Sequence, residues 1–236
     1  MSSLSVIIPA YNEEALLGAT IDAIKASLAQ SELIESEIIV ADDASTDGTA
    51  QLATSKGAQV VATNNRQIAA TRNAGANDAK FEWLLFLDAD TILPAKTLNA
   101  AVTELKSGAA GCGVTKVEFD KPQNVLIRFM SWSILTMVRL MGYAPGCCIF
   151  ATREAFDATG GFPEDFYASE ELWFCRAVKQ EGRFALLRES VLTSARKMDY
   201  HSTGRIMWMI MKLSVLGPRA LKSRKHLELW YDGQRG

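Results

Sequence analysis

The sequence predicts an α/β fold in which a mostly parallel central sheet carries helices on both faces. Three observations carry that expectation. Strand-like and helix-like stretches alternate at intervals of roughly 25–40 residues, the length of strand–helix–strand units. The predicted strands are short apolar runs that end in polar loops. One of them, Trp83–Leu87, is continuously apolar and stops at Asp88 and Asp90, which suits a strand buried on both faces. Right-handed crossovers would open all parallel carboxyl ends on one edge, where open α/β sheets place their ligands.

Residues 4–9, Leu-Ser-Val-Ile-Ile-Pro, read as a β-branched strand ended by Pro9. Asn12 is placed to cap the next helix, with Glu13 and Glu14 in its first turn. Leu17, Ile21, Ile24 and Leu28 recur at helical spacing and mark its buried face. Residues 37–41 form the second strand. It ends in Asp42-Asp43-Ala44-Ser45-Thr46-Asp47-Gly48-Thr49, a polar turn that starts a helix through Gln51 and Leu52. Residues 58–62 are a third strand. Residues 67–80 are a helix that carries Arg72 and Asn73 and is weakened by Gly75.

After Trp83–Leu87, Asp88 and Asp90 stand two apart, so in an extended segment both carboxylates face one point. Two anions so placed need a positive group between them, and a hard divalent cation clamped on phosphates is the usual one. Pro94 is placed at the first position of a helix lined by Leu98, Ala101, Val102 and Leu105 and ended by Gly108. Residues 111–119 read as a strand. Residues 124–141 read as an apolar helix with Phe129, Trp132 and Leu135. It is a core or interface helix, with a membrane-surface contact or a groove for an apolar acceptor as alternatives. Residues 146–150 bring small residues into a strand-like run, where another backbone or a ligand can approach closely. Gly160-Gly161-Phe162-Pro163 is a turn, and Glu170 and Glu171 open a helix. Past residue 206 an apolar stretch is followed by Lys212, Arg219, Lys222, Arg224 and Lys225, a basic amphipathic tail that can pack or lie on anionic lipid.

Composition excludes several classes. The 236 residues are 48% hydrophobic and 22% charged, an ordinary globular balance. A formal net charge of −2 gives no support to nucleic-acid binding. The four cysteines form no Cys-x-x-Cys pair and only two histidines are present, which argues against structural zinc. The cysteines read as reduced, mostly buried thiols of a cytoplasmic protein. No signal peptide or membrane span is expected, and a peripheral position at the inner face of the membrane is left open by the tail. No Gly-x-Gly-x-x-Gly follows the first strand, which disfavours a dinucleotide-binding dehydrogenase, and no P-loop motif occurs.

Four segments in order carry a resemblance: Val6-Ile7-Ile8-Pro9-Ala10-Tyr11-Asn12-Glu13, Asp42-Asp43-Ala44-Ser45-Thr46-Asp47-Gly48-Thr49, Ala70-Thr71-Arg72-Asn73-Ala74-Gly75, and Leu87-Asp88-Ala89-Asp90. Together they resemble the family-2 inverting glycosyltransferases of the GT-A (Rossmann-like) fold. The resemblance implies a nucleoside-diphosphate sugar donor, a divalent metal (Mg²⁺ or Mn²⁺) and a carboxylate base. It places Pro9, Tyr11, Glu13, Asp42, Asp43, Arg72, Asp88 and Arg196 in the donor site. Tyr11 can stack on a nucleobase, and Asp43, with Asp42 as the other choice, can accept its imide hydrogen. Arg72 can pair with the diphosphate or with the carboxylates around it, and Arg196 can contact the diphosphate. Asp88 and Asp90 are the implied metal ligands, joined by His201, as a late histidine does in some GT-A enzymes. An acidic pair at a helix start supplies the base. That role carries over to Glu171, with Glu170 as competitor and Glu standing where Asp is commoner.

The processive members' Gln-x-x-Arg-Trp is absent, so a single transfer to an acceptor hydroxyl is expected, with uridine the preferred base and a lipid-linked acceptor left open. Expected organisation is a GT-A domain over 1–200, divided into a nucleotide-sugar half (1–108) and an acceptor and base half (109–200), with a helical tail over 201–236. The rivals are a sugar nucleotidyltransferase, disfavoured by the Pro-Ala-Tyr-Asn-Glu loop, and a catalytically idle nucleotide-sugar-binding module.

Overall fold

The computed structural model describes residues 2–108, 111–121, 146–181 and 183–196, together with Val125, Arg128, Trp132, Ser133, Thr136, 221–223 and Leu227. The helix expected over 124–141, His201 and the tail over 201–236 therefore lie outside the described residues, apart from those isolated positions.

The elements alternate as expected. β1 (Ser3–Ala10), α1 (Glu14–Leu28), β2 (Glu35–Asp43), α2 (Thr49–Ser55), β3 (Gln59–Thr63), α3 (Ile68–Asp78) and β4 (Trp83–Leu87) come first. The two-residue β5 (Thr91–Ile92), α4 (Ala95–Lys106) and β6 (Cys112–Phe119) follow. The described chain then gives β7 (Cys148–Thr152), α5 (Arg153–Thr159), α6 (Glu170–Glu181) and β8 (Phe184–Thr193). One 8-stranded sheet joins the strands in the order β3-β2-β1-β4-β7-β6-β8-β5. β3, β2, β1 and β4 are mutually parallel. β7 runs antiparallel to both β4 and β6, and β8 is parallel to β6. Only β7 and β5 therefore run against the rest. The chain moves outward from β1 to β3 and then returns to the other side of β1 to lay down β4. That reversal is the topological switch point where such sheets open a crevice.

Alternation along β1 sorts the core onto two faces. Val6 and Ile8 pack with Leu17, Ile21 and Ile24 of α1 and Leu98 and Val102 of α4. Ile7 turns to the other face, with Ala69 and Ala76 of α3, Phe86 of β4 and Phe174 and Val178 of α6. Each such fully buried Ile, Leu or Phe contributes about 1.5–3 kcal/mol of transfer free energy. Gly75, which weakens α3 as a helix, is what lets that helix lie close on the sheet. A Cβ there would come within 2.6 Å of the Ile7 side chain.

Two local expectations are corrected. Pro94 is not the first helical residue of α4 but its cap, with extended ψ of 146°, and its carbonyl accepts from Thr97 and Leu98. Asn12 does not cap α1. The cap position is Glu13, whose own side chain makes no capping hydrogen bond. Asn12 instead adopts a left-handed φ of 52°. Its Oδ1 accepts from the Thr46 N–H at 2.8 Å and its own N–H donates to Ser45 Oγ at 2.9 Å. A short amide tolerates that conformation and ties the β1 loop to the β2 loop.

Candidate active site

The register sets the β1, β2 and β3 exits level. Ala10 pairs with Asp42, Asp42 with Ala62, and Asp43 with Thr63. Pro9 is buried within β1 opposite Ala41. Among the described residues, four non-glycine residues have left-handed φ: Asn12, Ala44, Arg66 and Ser169. Three lie in the loops that leave β1, β2 and β3, and the fourth immediately precedes α6. Conformations of this kind cost roughly 1–3 kcal/mol each and cluster where surrounding structure holds them for a purpose.

At the β2 exit the two aspartates do different things. The Asp43 carboxylate accepts from the Thr63 hydroxyl (3.2 Å) and from the N–H groups of Asn65 (2.7 Å), Arg66 (2.9 Å) and Gln67 (3.0 Å). It thereby fastens the whole β3–α3 turn. Among the described residues, Asp42 Oδ2 receives only the Ser45 N–H at 3.4 Å, and its buried Oδ1 has no partner. Acceptor capacity therefore stands open on Asp42 Oδ1, and Asp43 Oδ2, with its single donor, keeps a second lone pair. The Arg66 guanidinium lies over the Tyr11 ring, 4.5 Å from its centroid. Tyr11, Asp42 and Asp43 are thus gathered on one edge.

Across the β4 exit runs a chain of alternating charges. Arg72, only 2% exposed, donates to Glu170 and, at 2.8 Å, to Asp88 Oδ1. Arg196 donates to both oxygens of Glu13 and lies 3.5 Å from Asp90 Oδ2. Arg72 is therefore no solvated surface residue of α3, and Asp88 and Asp90 do not share one counter-charge. Each has its own arginine. Burial pulls the Arg72 pKa down, and the carboxylates of Asp88, Glu170 and Glu171 more than reverse that, so it stays charged. Arg196 arrives because β5 pairs with β8, Thr91 opposite Thr193, and the Ser194 N–H donates to the Asp90 carbonyl. The Thr193 hydroxyl adds a bond to Asp90 at 3.4 Å.

Glu170 and Glu171 open α6, where the helix dipole favours acids. Glu170 is buried in its ion pair with Arg72. Glu171 is half-buried. Burial, and then the Glu170 charge beside it, push its pKa up to about 8, against the opposing pull of Arg72. That is well above an ordinary glutamate's value of about 4.3. Gly146 packs directly against Glu171. A Cβ at Gly146 would lie 2.5 Å from Glu171 Cβ and nearer still to Cγ, too close for either residue to stay in place. Gly146→Ala is therefore expected to displace Glu171 and lower kcat by about tenfold to 10²-fold. Steady-state kinetics beside a circular dichroism spectrum would check it; an unchanged kcat would mean that Glu171 placement is not limiting.

Among the described residues no group of three or more His, Cys, Asp or Glu could hold a metal ion by itself. The oxygens of Asp88 and Asp90 still fit Mg²⁺ or Mn²⁺ in the common arrangement of one or two carboxylates completed by substrate phosphates. All four cysteines are free, and no described helix is long and apolar enough to cross a membrane.

Sequence reasoning missed Arg66 over Tyr11, the Gln67 side chain and the contact of Gly146 with Glu171. Only the last had a signal, the small residues at 146–148. The other two depend on which way a loop turns.

A strand-helix sheet with acidic loops at its switch point and a paired acid at the start of α6 is the arrangement that the resemblance to GT-A glycosyltransferases implied. The sequence model for glycosyl transferase family 2 matches residues 5–157, and the chain belongs to that family. It is 25% identical over 219 residues to the poly(ribitol-phosphate) beta-N-acetylglucosaminyltransferase TarS of Staphylococcus aureus, covering 84% of this chain and 36% of that protein. The chain thus spans about a third of that relative's length. It is 30% identical over 172 residues to an uncharacterized glycosyltransferase of Mycobacterium bovis, covering 68% of this chain and 75% of that one. Among solved structures, a mannosyltransferase from Pyrobaculum calidifontis, in complex with GDP-Man and Mn²⁺, superposes with a TM-score of 0.69 at 21% identity, covering 99% of this chain and 65% of that chain. Residues 1–349 of S. aureus TarS, in complex with UDP-GlcNAc, superpose with a TM-score of 0.65 at 22% identity, covering 81% and 58%.

Proposed function

We propose that this glycosyltransferase moves a sugar from a nucleoside-diphosphate sugar, with uridine the preferred base, to an acceptor hydroxyl in one inverting displacement. The observation that carries the reading is the placement of Glu171. It stands at the start of α6, beside the Glu170–Arg72–Asp88 chain and with its pKa raised to about 8. A group poised near the working pH suits a general base. The complexes of structural neighbours with UDP-GlcNAc and with GDP-Man and Mn²⁺ support a nucleotide-sugar donor and a divalent ion.

In this reading Tyr11 stacks on the nucleobase, and Asp43, or Asp42 through its free Oδ1, accepts its imide hydrogen. Arg72 and Arg196 set the positions of Asp88, Asp90 and Glu13 around the diphosphate. Asp88 and Asp90, with His201 as a further candidate from sequence alone, would hold Mg²⁺ or Mn²⁺, which when bound offsets the charge of the leaving diphosphate. Glu171 takes the acceptor hydroxyl proton as that oxygen bonds to the anomeric carbon. The carbon–oxygen bond to the diphosphate breaks, and its electron pair leaves with the nucleoside diphosphate.

A base must be deprotonated to work. With a pKa raised to about 8, kcat/KM should therefore rise as pH increases from 6 and level off above about 8. The test is transfer from a panel of nucleotide sugars, with and without Mn²⁺, across that pH range. A profile flat from pH 6 to 9 would remove Glu171 as base, and no turnover with any donor would remove the reading.

A further inference from the structure

Between α5 and α6 the chain runs through residues 160–169 with no helix or strand, yet this segment delivers Glu171. Its placement is set by side chains from α3 and the residue that caps it, and by residues 221–222, where the Leu221 carbonyl accepts from the Tyr167 N–H (2.8 Å) and Lys222 pairs with Asp165. Asn73 holds the near end, accepting from the Phe162 N–H (2.9 Å) and donating to the Phe162 carbonyl (2.9 Å). Arg72 holds the far end through Glu170. Gln67 holds the middle. It is 6% exposed, and its Nε2 donates to the carbonyls of Glu164 (2.8 Å) and Phe166 (2.7 Å). Its Oε1 accepts from the Ala70 N–H at 2.8 Å, capping α3, and its own N–H donates to Asp43 Oδ2 at 3.0 Å. One residue thus touches both the turn fastened by Asp43 and the segment that leads into α6. The Phe166 ring stacks on Trp173 of α6 at 4.9 Å, so the carbonyl that Gln67 holds belongs to a residue packed on the helix that bears the base. The segment ends at Ser169, in a left-handed φ of 60° that must be held from outside.

We infer that Gln67 is a positioning residue for the Glu171 base, tying the 164–168 segment to the nucleotide-side turn. The inference rests on the transferase reading above. Gln67 is not needed to keep the segment on the protein, because Asn73 and Arg72 hold its ends. Glu164 and Asp165 are exposed, so the carbonyl released at Glu164 can turn to water, while that of buried Phe166 loses one donor on a residue still packed on Trp173. Loss of Gln67 should therefore loosen the register of the segment and leave the fold intact.

The test compares wild type with Gln67→Met, which keeps the length and loses the hydrogen bonds, and Gln67→Glu, which keeps an acceptor for Ala70 and cannot donate to the two carbonyls. Readouts are kcat, donor KM, the pH profile of kcat/KM and amide hydrogen exchange over residues 164–171. The expected result is a kcat lowered about tenfold or more, as displacement of a catalytic group produces. Donor KM should stay within about threefold, the pH midpoint should move, and exchange should quicken in that segment. Folded variants with wild-type kcat and pH profile would overturn the inference, whatever their exchange. Failure of both variants to fold would make Gln67 structural and overturn it as well. An inactive wild type would instead strike at the transferase reading, and at this inference with it.

Discussion

Glu171→Gln should turn over at least about 10²-fold more slowly than wild type, since positioned general bases typically contribute about 10²–10⁴-fold. Gln keeps the size of the side chain and so the packing against Gly146. Nucleotide affinity should change little, because the groups assigned to the nucleotide lie at the ends of β1, β2 and β4. The residual activity should also lose its rise with pH. Stability should move the other way. A carboxyl whose folded pKa lies above its unfolded value binds its proton more tightly when folded, so it takes stability away as pH rises from about 4.5 to about 8. Gln removes that loss, and the variant should melt at the same temperature as wild type or higher at pH 8. A slow variant that is no less stable is the signature of a residue kept for chemistry. Kinetics within a factor of a few of wild type would return the base role to Glu170 or to a group outside the described residues.

Arg72→Met should be the most destabilising single change at the site. Arg72 and Glu170 each expose only 3% of their side chains. Removing the cation leaves Glu170 buried and Asp88 without its nearest counter-charge, and breaking a buried pair from one side costs about 3–5 kcal/mol. For a chain of this size that is a fall in Tm of roughly 6–20 °C. The double variant Arg72→Met with Glu170→Met should recover part of the loss, since an apolar pair of similar volume avoids the desolvation cost. Thermal melts at pH 7 would check both. A single variant within about 2 °C of wild type would mean that the ion pair is hydrated rather than buried.

Much of this arrangement was legible in the chain. The parallel half of the sheet follows from the alternation of apolar runs and helical stretches, and Asp88 and Asp90 could be set at a strand end because Trp83–Leu87 is too short and too apolar for anything else. What local pattern could not reveal was which cation meets which carboxylate. Arg72 and Glu170 are 98 positions apart, and Arg196 and Glu13 are 183 apart. These pairings depend on how β8 returns beside β5 and how the start of α6 is brought to Arg72. The raised pKa of Glu171 was hidden for the same reason, since burial and the neighbouring Glu170 charge are properties of the packed helix start. Asn12 misled because an amide before two acids is an ordinary helix start, and only the approach of the 45–46 turn drew it into the left-handed region. Gln67 carried no signal, as its partners lie 97 and 99 residues away.

The proposed metal-assisted nucleotide-sugar site lies at the ends of β1, β2 and β4. The most direct measurement is a thermal-shift panel of UDP-, GDP- and TDP-sugars, each with and without Mn²⁺ or Mg²⁺, on wild type and Asp90→Asn. A ligand that binds only the folded state must stabilise it, by about 2.7 kcal/mol at a hundredfold excess over its Kd. Uridine nucleotides should raise the Tm of wild type in the presence of metal, and Asp90→Asn should abolish the rise. No shift with any nucleotide, or an equal shift in Asp90→Asn, would contradict the proposed site.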